Sequence, residues 1–152
     1  MSEAADAALG HFAAGYNCGQ SVLMALCGPL GLEAATAARL ATGFGVGMAR
    51  GDVCGALSGA VMALGLYGGG GGRDGAAAKA ATYARAREFC DLFQELHGGL
   101  ACRDLIGLDP STPEGLEQAR RERRFHSVCL PLVRDAVTIV QKIMDKDAGG
   151  AD

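Results

Sequence analysis

The sequence predicts an all-α fold, a compact bundle of about six to seven helices joined by short connections. Three observations lead there. Apolar residues recur at helical spacing in segments bounded by Gly, Pro and capping residues. No run alternates with the period of two that a half-buried strand requires. The apolar fraction is 49%, yet only 5% of residues are aromatic and Trp is absent. The core is therefore built from Ala, Leu, Val and Met, which suits closely packed helices better than a β-sandwich.

The elements follow in order. Residues 3–14 place Ala8, His11 and Phe12 at helical spacing, and Gly15 ends the run. Asn17 is a competent N-cap for a second helix carrying Val22, Leu23 and Leu26, which stops near Gly28-Pro29. A short third helix covers about Glu33 to Ala41. The glycine-rich segment Gly43-Phe-Gly-Val-Gly-Met-Ala-Arg-Gly51 is too irregular for helix or strand, and Asp52 is placed to cap the apolar helix that follows it, as far as about Tyr67. Residues 76–97 are rich in strong helix formers, with Phe89, Phe93 and Leu96 on one face and Gly98-Gly99 as the break. A short helix is expected at 100–106 and a turn at Asp109-Pro-Ser-Thr-Pro113. Thr112 then caps a charged helix from Pro113 to about Arg124. A final amphipathic helix runs from about Val128 to Lys146, with Val133, Val137, Val140 and Ile143 on one side. The chain of 152 residues reads as a single helical domain, 1–152, with its core at about 5–145 and residues 147–152 as a disordered tail.

Charge and end sequence narrow the setting. A net charge of −3 gives no electrostatic basis for binding nucleic acid or acidic lipid. The basic cluster Arg120-Arg121-Glu122-Arg123-Arg124 reads as a solvated helix face. The opening Met-Ser-Glu-Ala-Ala-Asp is acidic and lacks the basic start of a secretory signal, so a cytoplasmic location is expected. The uncharged stretch Val53–Gly72 contains Gly55-x-x-x-Gly59, a spacing used by membrane helices. Its helical part, ended by the glycine run 68–72, spans roughly 22 Å, short of the ~30 Å hydrocarbon core. A buried central helix is the expectation.

The glycine-rich loop fits no nucleotide fingerprint: Met48 and Arg50 stand where a third glycine belongs, and no Gly-Lys-Ser or Gly-Lys-Thr is present. It is better suited to close approach of backbone to a helix or a small anion, with Arg50 at hand.

The chemistry is concentrated in the cysteines. Six of them, without an export signal, point to reduced thiols, metal ligands or redox catalysis rather than a disulfide framework. None forms Cys-x-x-Cys. If the caps above hold, Cys18 follows Asn17, Cys54 lies two residues after Asp52, Cys102 three after Gly99 and Cys129 two after Ser127. All four then sit in first helical turns, where free backbone N–H groups and the helix dipole favour a thiolate. Cys27 and Cys90 fall inside helical runs. Cys27 is nine residues, about 900° of helix, from Cys18 and so on the opposite face, and both read as small buried apolar residues. His97, seven residues after Cys90, and His126, three before Cys129, have ligand-compatible spacing but read more simply as capping or core-edge residues.

Taken together, these residues resemble a family of redox-active proteins named for its cysteine pattern, C_GCAxxG_C_C. Gly15-Tyr-Asn-Cys18-Gly-Gln-Ser-Val22 is similar to the opening motif, and Gly51-Asp-Val-Cys54-Gly-Ala-Leu-Ser-Gly59-Ala to the central one, with Cys54, Ala56 and Gly59 matching. Val53 stands where the name places a glycine, and Gly55 intervenes before Ala56. Phe93 to Cys102-Arg-Asp-Leu-Ile-Gly107, and then Cys129, resemble the later single-cysteine segments, so that the likeness covers about 5–145. The resemblance implies a helical fold and a redox or metal role for Cys18, Cys54, Cys102 and Cys129. Three readings follow. The first is a reversible dithiol/disulfide among these four thiols, a possible thiol–disulfide oxidoreductase with an undefined redox partner. The second makes the same four cysteines ligands of zinc or an iron–sulfur cluster. The third is a non-catalytic helical interaction module. A Gly/Ala-rich helix face would suit homo-oligomer packing in each case.

Overall fold

The structure, a computed structural model, describes residues 2–72 and 75–150. It is all-helical among those residues. Seven α-helices have eight residues or more: α1 (Glu3–Ala13), α2 (Cys18–Cys27), α3 (Ala34–Ala41), α4 (Gly55–Gly68), α5 (Ala76–His97), α7 (Pro113–Arg121) and α9 (Cys129–Gly149). Two shorter ones, α6 (Cys102–Ile106) and α8 (Arg124–Ser127), lie between α5 and α9. The total exceeds the six to seven expected. One cause is Arg123, whose left-handed backbone (φ 55°) stops the charged helix at Arg121 and starts a further turn.

Local chemistry explains most boundaries. Asn17 and Gln20 form a reciprocal capping box: the Gln20 N–H donates to Asn17 Oδ1 at 2.9 Å and the Asn17 N–H to Gln20 Oε1 at 3.0 Å. Thr112 accepts the Gly115 N–H at 3.0 Å, with Pro113 in the first turn of α7. Ser2 accepts the Ala5 N–H and donates its hydroxyl to Gln141 at 2.7 Å, which ties the start of α1 to α9. The last helix continues to Gly149, through residues 147–149 of the expected tail, whereas 151–152 lie outside the described residues.

The core is built around α9, whose Val133, Val137, Val140 and Ile143 are buried against α1, α2, α4 and α5. Phe89 and Phe93 of α5, stacked with centroids 5.8 Å apart, supply its large aromatics. Helix α4 is buried among its neighbours, and no helix among the described residues is long and apolar enough to cross a membrane.

Helix α2 packs extensively against α4, and glycine makes that approach possible. A Cβ on Gly59 would lie 2.6 Å from the Gly19 carbonyl oxygen and 3.2 Å from Val22 Cβ. Both atoms belong to packed helix and neither can swing aside. Gly59→Val is therefore expected to destabilise the fold by about 1–3 kcal/mol through overpacking, even though glycine is a poor residue for a helix interior. Thermal unfolding checks this: an unchanged or raised midpoint would mean that α2 and α4 separate freely.

Candidate thiol site

Cys18, Cys54, Cys102 and Cys129 all border one cavity of about 300 Å³. Cys27 and Cys90 do not: Cys27 is fully buried in the main core and Cys90 is half-buried against it. The partition of six cysteines into four and two thus has a spatial counterpart.

Each thiol is delivered by a helix start, though not always as the local sequence suggests. Cys18 is the first residue of α2, held by the Asn17 cap, whose side-chain amide also donates to the Thr42 carbonyl at 2.9 Å. Cys54 is itself the N-cap of α4. The expected cap, Asp52, is diverted because its carboxylate takes the Arg103 guanidinium at 2.9 Å. Cys102 opens α6 after Ala101 rather than after a Gly99 cap. Cys129 opens α9, but Ser127 does not cap it: Ser127 ends α8, and Val128 joins the two helices with right-handed helical backbone.

Cys54 and Cys102 are fastened together by an antiparallel bridge between Val53 and Ala101. The Cys54 N–H donates to the Leu100 carbonyl at 2.8 Å, and the Cys102 N–H to the Asp52 carbonyl at 2.6 Å. Cys54 therefore lies opposite Leu100, two residues from Cys102, and both cysteines project from the same face of the bridge. This pairing joins segments that are almost fifty residues apart in the chain and leaves no strand-length signal in the sequence.

The glycine-rich loop forms the adjoining wall, with Val46 and Gly47 on the cavity. Val46, Gly47, Met48 and Ala49 are all left-handed, with φ between 54° and 59°. For the three L-residues this conformation costs on the order of 1 kcal/mol each. Gly47 is required at its position, since a Cβ there would meet the Asp52 backbone oxygen at 2.5 Å. The turn is closed by the Asp52 N–H donating to the Gly47 carbonyl at 3.0 Å. Arg103 then clamps its exit, donating to the carbonyls of Arg50 and Gly51 at 3.2 Å each and to Asp52. Arg50, the anion ligand suggested by sequence, instead faces Asp52 at 3.7 Å.

The remaining lining is largely apolar, with Phe12, Leu105, Leu116, Phe125 and Leu132 contributing and Arg120 as its charged side chain. Arg120 is solvent-exposed, as sequence reading assigns it, and also borders the cavity beside Leu116, one helical turn earlier on the same side of α7. His97 does not line the cavity and approaches Asp135 of α9 at 3.1 Å, while His126 is exposed on α8.

The four sulfurs differ in acidity. A hydrogen bond from Cys18 to Cys129, reinforced by burial and by the negative charge on Cys129, holds the Cys18 thiol well above its ordinary value. The same hydrogen bond lowers Cys129, against the opposing effect of burial. Burial raises Cys54 to about 11 in spite of the backbone N–H groups of Ala56 and Leu57. Burial, together with the charges of Cys54 and Cys129, raises Cys102 to about 12. Helix-start placement alone predicts four acidified thiols. That expectation fails for three of them: at Cys54 and Cys102 desolvation of a thiolate outweighs the dipole, and at Cys18 the interaction with Cys129 dominates, with burial adding to it.

Among the described residues, no three His, Cys, Asp or Glu side chains converge closely enough to hold one metal ion. Charges influence one another over longer distances than the 2.3 Å of a zinc–sulfur bond. The four thiols can therefore be coupled electrically without forming the single-ion cage that zinc requires.

A family model described as "Putative redox-active protein (C_GCAxxG_C_C)" matches residues 16–143, a span that includes all four cavity cysteines. No curated protein and no solved structure matches the chain.

Proposed function

The chain belongs to the C_GCAxxG_C_C family, and from that membership we propose a thiol–disulfide redox function in which Cys129 is the attacking thiolate and Cys18 its disulfide partner. The observation that carries this reading is that Cys18, at the start of α2, and Cys129, at the start of α9, open onto the same apolar cavity, where their interaction raises Cys18 and lowers Cys129.

The Cys129 thiolate attacks one sulfur of a small disulfide. The substrate S–S bond breaks, a mixed disulfide forms on Cys129, and one thiolate leaves to take up a proton. Cys18 loses its proton and attacks the Cys129 sulfur of the mixed disulfide. The second substrate thiol leaves, and a Cys18–Cys129 disulfide remains. Two protein thiols are oxidised and one substrate disulfide is reduced to two thiols. Cys54 and Cys102, held as neutral thiols on the same cavity, form a second pair able to exchange with the first.

The test uses the reduced protein and hydroxyethyl disulfide. Before oxidation, iodoacetamide at pH 7 is expected to label Cys129 first. The sign follows from the shifts: a thiol held below its ordinary value is more ionised at neutral pH, while Cys54 and Cys102 stay protonated until about pH 11 and 12. After oxidation the free-thiol count should fall by two, with Cys18 joined to Cys129 in the peptide map, and should recover on reduction. Uniform labelling of all six cysteines, or a different oxidised pair, would overturn the assignment.

A further inference from the structure

We infer that the substrate of this site is a small molecule with an apolar body and an anionic group, and that Arg120 of α7 receives that group. The inference deepens the thiol–disulfide reading and rests on it.

Size excludes a bulky partner at the thiols. A volume of about 300 Å³ is roughly twice the 150 Å³ that accommodates one benzene. That admits a one- or two-ring molecule but not a folded segment of another protein. Cys54, Cys102 and Cys129 are each no more than 7% exposed, so a reacting disulfide must enter the cavity to reach them.

Lining chemistry then defines the ligand. Phe12, Leu105, Leu116, Phe125 and Leu132 favour an apolar body. Arg120 borders the same space, is itself solvent-facing, and makes no side-chain hydrogen bond or ion pair among the described residues. Its neighbour Arg124 is spent: it donates to the Ile106 carbonyl at 2.7 Å and faces Glu122 at 3.5 Å. An unengaged guanidinium at the rim of an apolar cavity matches a carboxylate, which it can bind through two parallel hydrogen bonds. The carboxylate would remain at the solvent-facing rim while the apolar part carries the disulfide inward to Cys129.

Two aromatic disulfides separate the contributions. One is 5,5′-dithiobis(2-nitrobenzoate), which bears a carboxylate on each ring, and the other is the neutral 4,4′-dithiodipyridine. Reaction of each with the reduced protein is followed at the first thiol modified, identified by peptide mass. Arg120→Gln is expected to slow the carboxylated reagent about tenfold and to leave the neutral one unchanged. Arg120→Lys should recover part of the loss. Arg121→Gln, which removes an exposed charge that does not border the cavity, should change neither rate. Equal slowing of both reagents, no slowing of either, or an equal effect of Arg121→Gln would overturn the role of Arg120 while leaving the thiol chemistry intact. Failure of both reagents to modify Cys129 in the unsubstituted protein would overturn the thiol–disulfide reading itself.

Discussion

Cys129→Ser is expected to lower the rate of hydroxyethyl disulfide reduction roughly a thousandfold or more. The reaction requires a sulfur anion at neutral pH, and among the four cavity thiols only Cys129 is held below its ordinary value. A serine hydroxyl does not ionise in that range and cannot form the mixed disulfide. Cys54 and Cys102 stay neutral at pH 7, and Cys18, although freed from the Cys129 charge, is still raised by burial, so none substitutes. The fold should survive: oxygen replaces sulfur with little change of shape, and a stability loss of about 1 kcal/mol is expected, about 2–4 °C in the midpoint for a chain of this size. Measured rates and a thermal melt on the same preparation separate the two effects. A rate loss below tenfold with an intact fold would assign the attack to another cysteine.

Cys18→Ser is expected to leave the first step and stop the second. The serine hydroxyl still donates to the Cys129 sulfur, so the thiolate persists and attacks the substrate. With no sulfur at position 18, the mixed disulfide is not resolved, and turnover should fall by roughly a hundredfold or more. The trapped adduct is directly visible as a mass gain of one mercaptoethanol unit on Cys129. Cys18→Ala removes the donor as well. The lowering of Cys129 caused by that hydrogen bond is then lost, and the pH profile of its alkylation should move upward relative to Cys18→Ser. If the adduct does not accumulate and a disulfide to Cys54 or Cys102 forms instead, the partner assignment is wrong.

Much of the fold is legible in sequence because it is locally determined. The Asn17 capping box, the Thr112-Pro113 start and the stop at Gly98, left-handed at φ 80°, are all short-range events. The Val133–Ile143 stripe likewise needs only helical periodicity. Where a distant residue intervenes, local reading fails. Asp52 is a reasonable helix cap until Arg103, some fifty positions away, takes its carboxylate. Arg123 is an ordinary helical residue until the chain turns there to bring Phe125 over the cavity.

The candidate site divides in the same way. The distinction between Cys18, Cys54, Cys102 and Cys129 on one side and Cys27 and Cys90 on the other is visible from position within helices, and the C_GCAxxG_C_C pattern contains it. Which thiol is acidic is not visible. Helix-start placement treats the four alike, whereas the outcome depends on desolvation and on which sulfur donates to which. Arg120 is exposed, as its run of five charged residues suggests; its second property, a place on the cavity rim, depends on packing and leaves no mark in that run.

The cavity thiols enter the chain at four widely separated positions, the first at 18 and the last at 129. During synthesis at roughly 5–20 residues per second, the first of these cysteines leaves the ribosome many seconds before the last. Through that interval the partial chain has no Cys18–Cys129 hydrogen bond and no enclosing wall, and its thiols behave as ordinary solvent-facing ones. The acidity of Cys129 is thus a property acquired at the end of assembly. Selective labelling of this one sulfur is therefore expected to be lost in a nascent or unfolded copy.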